Sequence, residues 1–284
     1  MSRQETIDWE RRFRTPAAIA AVATPILMII SLAVGASDAV RTETELFREF
    51  AENRGTELMA AILLALAFAT AAGALYFLFS AAANRSPSVR RGFVGVIVAA
   101  PLFLGVGGIF DWIALDGAAT DFATPGGGAG IPIGEYAEDL REEQWAFSLA
   151  QGLNLAGTLG LVFGLIYTPL WAMRTGLVTR FFGTLGMALG AGLVLIPGAF
   201  IGLMLWMLWL GLVFADRVPR GRPPAWDAGE AIPWPRPGEK PDEPPDRDDD
   251  DIEGDAHELM AGNGENPHAA RRERAKRRKR KRRG

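Results

Sequence analysis

The sequence predicts an all-α fold: a polytopic transmembrane bundle of about six helices, followed by a disordered cytoplasmic C-terminal tail. Three observations carry this prediction. Five strongly apolar blocks fill residues 16–215. The connectors between them alternate between purely basic and acid-rich, and an excess of arginine marks cytoplasmic loops. Beyond residue 215 the composition turns to Pro, Gly, Asp, Glu and Arg, with too few apolar residues to offset the entropy of ordering.

A cytoplasmic N-terminal segment, 1–15, precedes the first span at 16–35, which carries no charge and follows Arg11, Arg12 and Arg14. A cleaved signal peptide is the rival reading, but this apolar run exceeds the roughly 7–15 residues of a signal core. Spans two to four are placed at 58–83, 93–115 and 145–168, each long enough for a bilayer core that needs roughly 20 residues of helix. The connector before span two is rich in acids, including Glu43, Glu45, Glu49 and Glu52. Leu46, Phe47 and Phe50 within it suggest either an amphipathic surface helix or a solvated loop.

Arg85, Arg90 and Arg91 follow span two without an acid, whereas Glu135, Glu138, Asp139, Glu142 and Glu143 precede span four. Arg174 and Arg180 come next, again without acids. The fifth block, 181–215, would measure about 52 Å as one helix, too long for one crossing. Both its ends are basic, so it is divided into spans 181–197 and 199–215, turning near Pro197-Gly198. Both termini are then cytoplasmic, in the inner membrane of a bacterial cell.

Within the spans, Ser148, Gly152, Ala156, Gly160 and Gly164 recur every four residues, a small-xxx-small series of the kind that lets helix backbones approach. Gln151, Asn154 and Thr158 lie within an arc of roughly 60° beside it. They are either a polar path for a solute or hydrogen-bonding glue between helices. Asp111 is the acid within an apolar block, and an intramembrane carboxylate is a functional candidate by default. Its neighbour Trp112 argues instead for a solvated interfacial position. Pro25, Pro101 and Pro197 would each free a backbone carbonyl, an ordinary feature of membrane helices.

Chemistry is narrowed by absences. The sequence has no cysteine, and its two histidines, His257 and His268, lie in the tail. Thiolate and imidazole ligation within the membrane are therefore excluded, and no catalytic residue, cofactor or metal site is expected.

The tail, 216–284, begins with an apolar exception around Trp226 and Trp234, suited to docking on the membrane surface or on the bundle. An acidic run, Asp246 and Asp248–Asp251, precedes 11 basic residues within 271–283. Anionic lipid headgroups are the expected partner for that basic run, at about 1 kcal/mol per charge near the surface. A protein partner or self-association is the alternative. Nucleic acid is disfavoured, because no aromatic residues interleave for base stacking.

The Trp226–Trp234 segment behind a six-span body resembles uncharacterised multi-pass integral membrane proteins of actinobacterial type. That resemblance implies an integral membrane protein with no assigned activity. The expected role is a non-enzymatic scaffold, assembly or regulatory component. The alternative is a small-solute or ion transporter with a polar path along the fourth span.

Overall fold

The computed structural model describes residues 2–35, 42–123, 133–196, 198–219 and 221–234. The acidic and basic runs of the tail, the triple glycine at 126–128 and Pro197 lie outside these residues. Among the described residues the chain forms eight α-helices: α1 Arg3–Val34, α2 Glu43–Arg85, α3 Val94–Phe122, α4 Ile133–Glu143, α5 Trp145–Arg174, α6 Arg180–Leu195, α7 Ala199–Phe214 and α8 Ala225–Ala228. A 3-10 turn, Arg91–Phe93, leads into α3. Helices α1, α2, α3 and α5 are long and apolar enough to cross a membrane, while α6 and α7 are shorter apolar helices. The protein is an all-α membrane protein.

Helix boundaries outrun the apolar blocks. Helix α1 already begins at Arg3, where Ser2 caps it through a box with Glu5, so the N-terminal segment is helical and continuous with the first span. Helix α2 begins at Glu43 behind a second capping box, Thr42 with Glu45. Its 43 residues span roughly 64 Å at about 1.5 Å per residue, more than twice a bilayer core. It kinks at Asn53 (φ −115°, ψ 20°), whose amide turns back to donate to the Glu49 carbonyl at 3.1 Å. Phe47 and Phe50 are buried against Ala118, Ala119, Ala137 and Leu140, with Trp112, Phe122 and Tyr136 around them. From Glu43 onward the first acidic connector is therefore helix rather than loop, and its Phe47 and Phe50 face protein. It joins the end of α3 and α4 in a second apolar cluster.

Neighbouring long helices run antiparallel. Ser31 Oγ donates to the Ala60 carbonyl at 2.8 Å, and Thr24 and Thr70 hydroxyls meet at 3.0 Å between α1 and α2. Each such bond inside a membrane is worth about 0.6 kcal/mol. Gly105 of α3 closes on the Ala65 backbone of α2, and Gly157 of α5 closes on Ala100 and Leu104 of α3. Gly183, Gly186 and Gly190 admit Met173, Pro169 and Leu165, so α6 lies along α5.

In the fifth apolar block α6 ends at Leu195 and α7 begins at Ala199. Phe182 stacks on Trp209 with ring centroids 3.6 Å apart, Trp206 Nε1 donates to the Phe182 carbonyl at 2.9 Å, and Gly192 faces Ala199. Contacts that step inward along both arms define an antiparallel hairpin. Its two ends meet at the same end of the bundle as the N-terminus of α1.

Candidate functional site at the basic end

That end of the bundle is held by a strap, residues 221–234, which includes α8. Helix α5 stops at Gly176 (φ +77°), where Leu177 N–H reaches back to the Ala172 carbonyl at 2.8 Å and Gly176 N–H to that of Met173 at 3.1 Å. This paired reversal satisfies two orphan carbonyls and exposes the next backbone oxygens to a partner. The strap supplies it. Trp226 Nε1 donates to the Leu177 carbonyl and Trp234 Nε1 to that of Val178, both at 2.8 Å. Ile232 N–H bonds the Thr175 carbonyl at 3.2 Å, and the Ile232 carbonyl fills the space a side chain at Gly176 would need. The tryptophans therefore dock on the bundle rather than on lipid.

Beneath the strap lies a buried charge network. Arg85 grips both carboxylate oxygens of Glu10, with Arg85 Nη2 to Glu10 Oε2 at 3.0 Å. The Arg85 side chain is 0 % exposed and that of Glu10 6 %. Arg85 also donates to the Ala225 carbonyl at 2.9 Å and stands 5.5 Å from the Trp226 ring centroid. Arg222 covers the same ring at 5.8 Å and pairs with Asp227. Arg180 donates to the Trp234 carbonyl at 3.0 Å, and Arg3 to that of Ala228. The start of α1, the end of α2, the start of α6 and the strap thus share one set of arginines. Sequence reading missed the Glu10–Arg85 pair, because an acid among Arg11, Arg12 and Arg14 reads as solvated; its signal was the single basic residue closing α2.

The residues singled out inside the spans do not converge. Asp111 is half-buried, and Arg141 of α4 approaches it at 3.5 Å, so its counter-charge comes from a connector rather than from a span. Gln151 is exposed, Thr158 is half-buried, and Asn154 Oδ1 fills the gap left by Gly107 of α3. In the small series, Gly160 meets Ala100 and Gly164 meets Ile97. Ser148, Gly152 and Ala156 are exposed, and Gly152 has nothing within 4 Å of its Cβ position. Within this chain the series is therefore not one packing face. A four-residue step turns roughly 40° further than a full turn, so Ser148 and Gly164 point about 160° apart. The buried line on α5 is instead Ala150, Gly157 and Gly164, at two-turn spacing.

Among the described residues no group of His, Cys, Asp and Glu is placed to hold a metal ion. Comparison with protein-family models, with curated proteins and with solved structures returns no match.

Proposed function

We propose that the protein is a non-enzymatic membrane scaffold that presents its charged tail from a fixed point on the cytoplasmic end of the bundle. The observation that supports this reading is the strap itself. Two indole N–H groups bond the α5–α6 turn, and Arg85 and Arg180 bond strap carbonyls, so the chain leaves the bundle at Trp234 in one place. The basic end is assigned to the cytoplasm because Arg3, Arg11, Arg12, Arg14, Arg90, Arg91, Arg174 and Arg217 gather there, whereas acids dominate around α4. Lipid headgroups, and a protein partner or second copy, are the proposed contacts of the tail.

A solute path along α5 is the less supported reading. Asn154 is seated against α3, Gln151 faces outward, and Asp111 is paired with Arg141. Cross-linking from a photoreactive residue in 271–283, in cells, tests the choice. Replacing Trp226 and Trp234 by Ala should change the cross-linked set, while Gln151→Leu with Asn154→Leu should leave it unchanged. An unchanged set in the tryptophan variant, or a transport defect in the leucine variant, would reject the scaffold.

A further inference from the structure

A groove of about 240 Å3 opens on the flank of the basic end, between α1, α2 and the start of α3. Trp9 and Phe79 wall it, and Tyr76, Ser80, Asn84 and Arg91 line it. Tyr76, Ser80 and Asn84 follow one another at four-residue spacing on α2, making a polar ladder on the last turns of the helix. Among the described residues none of these three side chains, nor that of Arg91, has a hydrogen-bond or ion-pair partner within the chain. Arg90 and Arg91 stand in a connector without acids, and the one carboxylate beside Trp9 on its C-terminal side, Glu10, is consumed by Arg85. Asp8, on the other side, is exposed and accepts from Gln4 at 3.1 Å. Arg91 is the charged side chain that lines the groove.

We propose that this groove binds the phosphodiester of an anionic membrane phospholipid. Arg91 and the Asn84 amide supply donors to the phosphate oxygens, a charge-assisted arrangement stronger than neutral hydrogen bonds. Ser80 donates to the glycerol esters. Along α2, Tyr76 lies roughly 12 Å beyond Asn84, further than the roughly 5–8 Å thickness of a headgroup layer, and so reaches acyl-chain depth when Asn84 is at the headgroups. Tyr76 and Phe79 then contact the chain. The position fits a lipid because these donors sit at the level where arginines collect, with the ladder descending toward hydrocarbon. A free phosphate would use Arg91 and Asn84 and leave Tyr76 idle. This site is separate from the 271–283 run, which remains constant across the variants below.

Native mass spectrometry of the full chain in detergent, titrated with phosphatidylglycerol, phosphatidylcholine or inorganic phosphate, tests the proposal. The wild type should retain one more phosphatidylglycerol than Arg91→Glu, with apparent affinity weakened about tenfold in the variant. Ser80→Ala with Asn84→Ala should show the same loss, which keeps the reading independent of how well the charge reversal folds. Equal retention by wild type and both variants would overturn the site. So would equal retention of phosphatidylcholine, or displacement of the bound lipid by millimolar inorganic phosphate, which would assign the groove to the free anion.

Discussion

Arg85 holds Glu10 through both terminal guanidinium nitrogens, with neither side chain more than 6 % exposed, and so ties the last turn of α2 to the first turns of α1. A buried pair of this kind offers little net stability over apolar residues of the same size, but removing one partner strands a charge. Glu10→Leu or Arg85→Met alone should destabilise the fold by about 3–5 kcal/mol. The double replacement Glu10→Leu with Arg85→Met should recover most of that loss. Intrinsic-fluorescence melting of the four proteins in one detergent measures the coupling. Additive losses in the double variant would show that the two residues act independently.

The Gly176–Ile232 approach predicts a second sensitivity. Alanine at 176 would adopt φ +77° at a cost of about 1–2 kcal/mol, and its methyl group would collide with the Ile232 carbonyl. The strap must shift to admit it. Gly176→Ala should therefore raise tryptic cleavage after Arg217 while leaving the helix content seen by circular dichroism intact. Unchanged cleavage would mean that the strap is not held at this turn.

Glycines on α5 should divide by face. A Cβ at Gly157 would stand 2.8 Å from Leu104 Cγ and 2.9 Å from the Ala100 carbonyl, so Gly157→Leu should cost at least about 1–3 kcal/mol through overpacking. At Gly152 the same position is open, so Gly152→Leu should change the melting point of the isolated chain by less than about 0.5 kcal/mol equivalent. Size-exclusion chromatography with light scattering completes the comparison. A loss of mass in Gly152→Leu would reveal a second copy packed on that face.

Those two glycines mark how far the sequence could be read. Arginine placement and block length put a turn near Pro197-Gly198 from bilayer thickness and loop charge, which are local properties, and α6 ends at Leu195 with α7 beginning at Ala199. The four-residue series on α5 does not form one face within this chain: small residues recur by composition in such helices, and only a partner helix decides which of them are covered. Phe47 and Phe50 looked amphipathic on their own. Their partners Ala118, Ala119 and Leu140 lie on α3 and α4, and no spacing rule joins positions so far apart. Trp226 and Trp234 stood out as lone aromatics in a polar tail, but their acceptors are backbone carbonyls of Leu177 and Val178, which side-chain patterns do not reveal. Glu10 was hidden by its arginine neighbours.

The hairpin sets the side on which the strap emerges, and the cysteine-free chain allows that to be measured directly. Helices α6 and α7 have 16 residues each, roughly 24 Å, shorter than a bilayer core of about 30 Å. If they cross, their shared bend is expected within or just below the opposite interface; the adjoining Leu195 and Ile196 are 79 % and 59 % exposed. With the basic end in the cytoplasm, Ile196→Cys should react with a small membrane-impermeant maleimide on intact cells, more slowly than a cysteine placed at Glu138 on α4. Ser88→Cys, in the basic connector before α3, should react only after permeabilisation. Labelling of Ser88→Cys in intact cells would invert the bundle and place the strap outside. Labelling of Glu138→Cys with a silent Ile196→Cys, even after permeabilisation, would instead bury the bend in lipid and make α6 and α7 a re-entrant pair. Even then the strap would leave from the same end, because Phe182 and Trp209 stack next to the helix ends from which it departs.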